Sequence, residues 1–150
     1  EVVEMFIKNG TYIVPTLVAP YFIVKNGVES GIPKQAVEKA KEIIEKHVKS
    51  FEMAYKAGVK IAMGTDAGTP FNLHGESAYE LCLMTEAGMK PMDAIVTATK
   101  TSSELIGVED KFGTLEIEKY ANFIVLSENP VNNIKTIQQP VAVYKKGKLV

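Results

Sequence analysis

The sequence predicts an α/β fold with an antiparallel β tail, and three observations carry that prediction. A long amphipathic helical pattern runs from Pro33 to Gly58, between two short β-rich runs. The second of those runs ends in a carboxylate set between glycines, Gly64-Thr65-Asp66-Ala67-Gly68. From about Lys111 onward, helical patterning gives way to two β runs and a Lys146-Gly147 hairpin signal. Parallel strands need a crossover connection, so strand, long helix, strand is the unit of a parallel sheet.

The elements follow in order. EVVEMFIKNG reads as the last turns of a helix closed by Gly10. Residues 11–16, TYIVPT, form a β-rich run, with Pro15 at its end because proline has no N–H for a central ladder. Residues 17–32 show no clean period and read as a long loop or short helical piece over the strand ends. Pro33 suits the first position of a helix. Val37, Ala40, Ile44, Val48, Phe51 and Tyr55 then recur at steps of three and four, giving one apolar stripe. In residues 58–66, Val59, Ile61 and Met63 alternate with Lys60 and Ala62, which is strand periodicity ending at Asp66. Residues 76–87 are helical and apolar on most of their circumference, with Gly88 as cap. Pro91 opens another helix to about Thr99, and Thr101 and Glu104 have capping-box spacing for a further turn or two. In the tail, residues 121–126 and 141–144 are β runs, separated by an Asn129-Pro130 turn.

Composition excludes several classes of partner. The 150 residues are 46% apolar, enough for about one globular domain. Seventeen basic and eighteen acidic side chains leave a net charge of -1 with no like-charge block, so neither nucleic acid nor a membrane surface is expected as a partner. No run reaches the roughly 18 apolar residues of a membrane span. The lone Cys82 cannot form an internal disulfide or a cysteine zinc site, and a reducing, cytoplasmic location is the expectation. The chain opens on Glu1 rather than Met, so the lack of a leader pattern says little about targeting.

The residues that could carry chemistry gather after residue 58. Asp66 stands where a strand ends and the backbone turns, the edge at which parallel α/β folds bind ligands. Read from the residues alone, it could present its carboxylate there or cap the following turn, and both readings stay open. His74, ahead of a buried helix, is equally a substrate-facing group or a locally bonded loop histidine. The helix start beside it would suit a substrate carboxylate. Glu76 reads as a first-turn helix carboxylate, His47 as structural, and Cys82 and the methionines as core. Thr16, Tyr21 and Thr65 lie near the strand ends and are candidates to line a pocket.

Taken together, GVKIAMGTDAG, HGE, ELCLMTEAGMKPMDAIVTATKTSSELIGVEDKFGTLE, NFIVLSENPVNNI and VAVYKKGKLV resemble the C-terminal portion of metal-dependent amidohydrolases. The branch is the one similar to imidazolonepropionase and Xaa-Pro dipeptidases, whose seventh barrel strand is matched by IVPTL at residues 13–17. The resemblance implies a partial (β/α)8 TIM-like barrel, strands seven and eight with their helices, over residues 1–110. Residues 111–150 would be the C-terminal strands of a flanking β-sandwich. It implies that Asp66 is both catalytic and a metal-facing group, taking a proton from a metal-activated water, with zinc the expected divalent metal. His74, Thr16, Tyr21 and Thr65 are then substrate-binding candidates, and the expected reaction is hydrolysis of the C–N bond of a small peptide or amide.

The chain departs from the pattern in two places. Glu118-Lys119-Tyr120-Ala121-Asn122-Phe123 stands where the family usually has Gly-Lys-x-Ala-Asp-Leu, which touches only a turn. The family's His-x-His pair, its bridging carboxylated lysine or glutamate and two further histidines have no counterpart, because His47 and His74 are the only histidines. A catalytic zinc takes about three protein ligands, so these 150 residues by themselves are expected neither to bind metal tightly nor to turn over substrate. Two parallel strands also cannot close a barrel. The expected partner is a missing N-terminal barrel half or another copy of the chain. The alternative expectation is a non-catalytic half-barrel or self-associating module.

Overall fold

The computed structural model describes residues 1–150, a mixed α/β arrangement as the patterning predicts. Helix α1 (Val2–Asn9) stops at Gly10 and leads into β1 (Tyr12–Ile13). The chain returns through α2 (Val18–Asn26) and α3 (Lys34–Lys56) to β2 (Lys60–Ile61), which pairs with β1 in parallel, Tyr12 opposite Lys60 and Ile13 opposite Ile61. Ala62 N–H adds one more bond, to the Ile13 carbonyl at 3.0 Å.

The apolar stripe of α3 behaves as its spacing requires. Val37, Ala40 and Phe51 are buried, joined by Ala54, and Val48 and Tyr55 pack against the core. That core gathers Leu17, Val18, Ile61, Leu81, Leu83, Met84, Met89 and Ala94 around Phe51. It therefore fastens the start of α2 to α4 (Tyr79–Glu86) and α5 (Pro91–Val96).

Four expectations need correction. Of the two readings of residues 17–32, a long loop or a short helical piece, the structure rules out the long loop: α2 is a nine-residue helix, whose period is masked because Leu17, Val18 and Ala19 are buried in succession. The strand does not run to Asp66, since β2 ends at Ile61, and Ala62 is fully buried rather than facing out. The helix expected from Glu76 begins at Tyr79, after two turns. The Thr101 capping box does not form. Thr101 has helical dihedrals inside a π-helical segment, residues Thr97–Thr101, that joins α5 to α6 (Ser102–Leu105) without a break.

The tail matches its pattern closely. β3 (Phe123–Val125), β4 (Ala142–Lys145) and β5 (Lys148–Leu149) form an antiparallel sheet in that order. Phe123 and Tyr144 are cross-strand partners with rings stacked at 4.6 Å. Lys146 and Gly147, at φ 52° and 75°, make the two-residue turn with both central residues left-handed that fits a twisted hairpin. Asn129 Oδ1 accepts from Val131 N–H at 2.9 Å, the turn mechanism expected of Asn-Pro. The tail lies tightly against the helices at Gly113, where a Cβ would overlap Ser103 Oγ and stand 3.0 Å from the Thr99 carbonyl. No helix is long and apolar enough to cross a membrane.

Candidate active site

β1 and β2 run parallel, so the segments leaving them, Thr16 after β1 and Gly64-Thr65-Asp66 after β2, emerge at the same edge. A Cβ on Gly64 would overlap Cγ1 of the exposed Val14 side chain, so a larger residue there would require that side chain to shift.

Asp66 sits just beyond, with φ 53°. Aspartate tolerates this left-handed region better than most residues, and such backbones persist where the surroundings over-determine them. The over-determination comes from Asn72, a buried side chain 3% exposed. Its Nδ2 donates to the Thr65 carbonyl at 2.5 Å, the Asp66 carbonyl at 3.0 Å and Thr69 Oγ1 at 3.1 Å. Gly68 N–H closes the loop on the Asn72 carbonyl at 2.9 Å. Apart from the Thr69 hydroxyl, which itself donates to the Asp66 carbonyl at 3.2 Å, the loop is pinned through its backbone. The Asp66 side chain is exposed, and no hydrogen bond or ion pair within the chain engages its carboxylate. A capping role for Asp66, the other reading of the sequence, is therefore not what the loop uses.

A second support lies beneath β2. In the π-helical segment the Thr97 carbonyl is turned out to accept from Met63 N–H at 3.1 Å, and Ser102 Oγ donates to the same carbonyl at 2.6 Å. A π segment frees backbone carbonyls from the regular ladder. Here the freed carbonyl anchors the chain three residues before Asp66.

The remaining candidates are placed as follows. Thr65 lies in the pinned loop and is half-buried. Thr16 is half-buried at the end of the β1 segment with φ 49°, an outlier for a β-branched residue. His74 is exposed, on the turns that lead into α4. Tyr21 faces neighbouring helices: its ring lies 5.4 Å from that of Tyr79, and the two hydroxyls are 2.9 Å apart. The structure therefore brings Thr16, Thr65 and Asp66 to one edge, while Tyr21 is engaged in the contact between α2 and α4.

Sequence reasoning passed over Asn72, Thr97, Ser102 and, above all, Glu80. The signal for Glu80 was present: of the three glutamates in residues 76–87, Glu76 and Glu86 lie at the ends, and Glu80 is the one set in the otherwise apolar interior of the stretch. Its side chain is fully buried, and Oε1 and Oε2 accept from Leu17 N–H at 2.8 Å and Val18 N–H at 2.7 Å. No cation pairs with it, since the ion pairs of the chain involve other residues. Burial raises its pKa to about 7, and the two N–H donors oppose the rise.

With the folded pKa raised above an unfolded value of 4.5, the native state binds the extra proton between those pH values. Stability from this group is fully present below pH 4.5 and is lost as pH rises through about 7, a change on the order of 3 kcal/mol. Urea unfolding of the wild type and of Glu80→Gln across this range should show the wild-type curve falling relative to the variant. Parallel curves would contradict the assignment.

No group of three or more histidine, cysteine, aspartate or glutamate side chains is arranged to hold a metal ion. Asp66 has no companion side chains of that kind around it, so the residues of this chain do not by themselves fit a metal site. What the edge offers chemically is one solvent-facing, uncommitted carboxylate on a backbone that is held in place.

Comparison with known proteins places this geometry in context. The model of the Amidohydrolase family matches residues 1–150. Ochratoxinase of Aspergillus niger is 36% identical over 155 residues, covering 99% of this chain and 31% of that protein. A Xaa-Pro dipeptidase solved with methionine bound in its active site superposes with a TM-score of 0.87 at 37% identity, covering 99% of this chain and 36% of that one. The crystal structure of A. niger ochratoxinase gives a TM-score of 0.80 at 34% identity, covering 99% and 34% respectively. The chain therefore spans about a third of the length of the relatives it matches.

Proposed function

Because this chain belongs to the amidohydrolase family along its whole length, we propose that it is the C-terminal part of a metal-dependent hydrolase that cleaves the C–N bond of a small peptide or amide. On this reading residues 1–110 supply strands seven and eight of a (β/α)8 barrel with their helices, and residues 111–150 supply strands of a flanking β-sandwich. The observation that carries it is the Asp66 carboxylate, exposed at the edge of the parallel pair and left unbonded by a loop held through its backbone.

Asp66 accepts the proton of the attacking water and returns it to the departing nitrogen, general base and then general acid. A divalent cation, zinc by family resemblance, would be held by Asp66 only together with residues from outside this chain, and there would supply an acidified water. Its other ligands come from outside these 150 residues, which by themselves are inactive. Thr65, Thr16 and His74 face the substrate. The relatives' printed names, an Xaa-Pro dipeptidase and an ochratoxinase, support a dipeptide or related small amide as substrate.

The partner on this reading is the remaining barrel, which would cover the open sides of β1 and β2 and the apolar groove of ≈ 460 Å³ lined by Met63, Leu81, Ile95, Phe123, Leu126 and Ile137. That same groove favours the second reading, a non-catalytic self-associating module. Sedimentation separates the two, because a well-folded monomer of the 150-residue chain counts against self-association.

The primary test is turnover by the full-length protein on Xaa-Pro dipeptides and N-acyl amino acids before and after metal stripping. Hydrolysis that falls at least about 100-fold with a chelator and returns with zinc is the expected result. Full activity in the stripped enzyme would defeat the proposal.

A further inference from the structure

A serine, threonine or aspartate at the N-cap ordinarily bonds the free N–H groups of the first turn through its own side chain. The N-cap of α2 is Leu17, which has no side-chain acceptor, and Thr16 just before it does not bond them either. The start of α2 has no local side-chain cap, and its Leu17 and Val18 N–H groups both go to Glu80, a carboxylate more than sixty residues further along the chain. Two consequences follow at Thr16. Its backbone is held left-handed, at φ 49°, where β-branched residues are rarely found. Its hydroxyl, half-buried at the edge shared with Asp66, has no hydrogen-bond partner within the chain.

A buried carboxylate without a cation is an expensive way to satisfy two amides that a serine or threonine could have capped. Residues kept in strained conformations by their surroundings concentrate at ligand sites. We propose that Glu80 is a positioning residue which, by taking the Leu17 and Val18 amides, holds Thr16 in place at the edge with its hydroxyl free to hydrogen-bond the substrate. This rests on the reading of that edge as the hydrolase site. The bond is an ordinary one from the hydroxyl to an oxygen or nitrogen of the substrate near the scissile amide, and no covalent step is involved.

The test uses the full-length enzyme with whichever Xaa-Pro dipeptide or N-acyl amino acid it turns over. Thr16→Val keeps the shape and both Glu80 bonds while removing the hydroxyl, and should raise KM about fivefold or more with a smaller change in kcat. Glu80→Gln should raise KM similarly, because one amide oxygen cannot accept both N–H groups in the same way. In the Thr16→Val background Glu80→Gln should add little further, whereas a merely structural role would lower performance equally in both backgrounds. An unchanged KM in Thr16→Val overturns the proposal. If Glu80→Gln does not fold, Thr16→Val alone decides. Loss of activity in Asp66→Asn together with wild-type KM in Thr16→Val would sink this inference and leave the hydrolase reading standing. Absence of turnover on every substrate would sink both.

Discussion

Asp66→Asn in the full-length protein is expected to lower kcat by about 10³-fold while leaving the melting temperature nearly unchanged. On the proposed function, the rate loss follows from removing the group that would take and return the proton, a role worth roughly 10² to 10⁴. The unchanged stability follows from the loop, which uses the backbone of residue 66 and not its carboxylate. Asparagine also accepts the left-handed backbone, φ 53°, as readily as aspartate does, so the variant should stay within about 0.5 kcal/mol of wild type. Steady-state kinetics and thermal unfolding on the same preparation check both halves. Wild-type turnover in this variant would remove Asp66 from the mechanism. Unfolding of the variant would show that the carboxylate belongs to the architecture.

Asn72→Ala is expected to give the next largest loss, by a different route. It deletes the donor shared by the Thr65 and Asp66 carbonyls and Thr69 Oγ1. Those acceptors lie in a part-buried loop, and leaving them unpaired costs about 1–3 kcal/mol. The larger consequence is positional: with the clamp gone, the residue 66 carboxylate samples other directions, and a misplacement of about 1 Å can cost on the order of 10²-fold in rate. Asn72→Asp should be worse than alanine, because it puts an acceptor against two carbonyl oxygens. kcat should fall much more than KM rises, and urea unfolding should show the stability loss. A variant with normal kcat and reduced stability would make Asn72 a fold residue only.

These two residues also mark what could be read from the chain. Asp66 was visible because a strand-like run, two glycines and a carboxylate are local features, complete within nine residues. Asn72 was not, since its importance lies in a fold-back of the loop onto residues 65, 66 and 69 that no spacing announces. α3 and the Lys146-Gly147 hairpin were legible for the same local reason, a sustained helical period in one and a turn dipeptide between β runs in the other. α2 was hidden because successive burial of Leu17, Val18 and Ala19 erases the polar face on which a period depends. The π segment was misread as a break, because Thr101 and Glu104 match a capping box only when the backbone of Thr101 leaves the helix. Packing against β2 keeps it helical.

By itself, the sequence determined the α/β class, the long helix and its buried stripe, the place where a carboxylate follows a strand, and the antiparallel tail. All of these follow from interactions between residues close in the chain, where periodicity and turn chemistry act directly. Only the tertiary structure decided which groups are free and which are committed. It ties Tyr21 to Tyr79, gives the start of α2 to a glutamate on α4, and leaves the Thr16 hydroxyl and the Asp66 carboxylate without partners. A hydrogen bond between residues sixty positions apart depends on how helices pack against a common core, and packing is a property of the whole fold that no local pattern encodes.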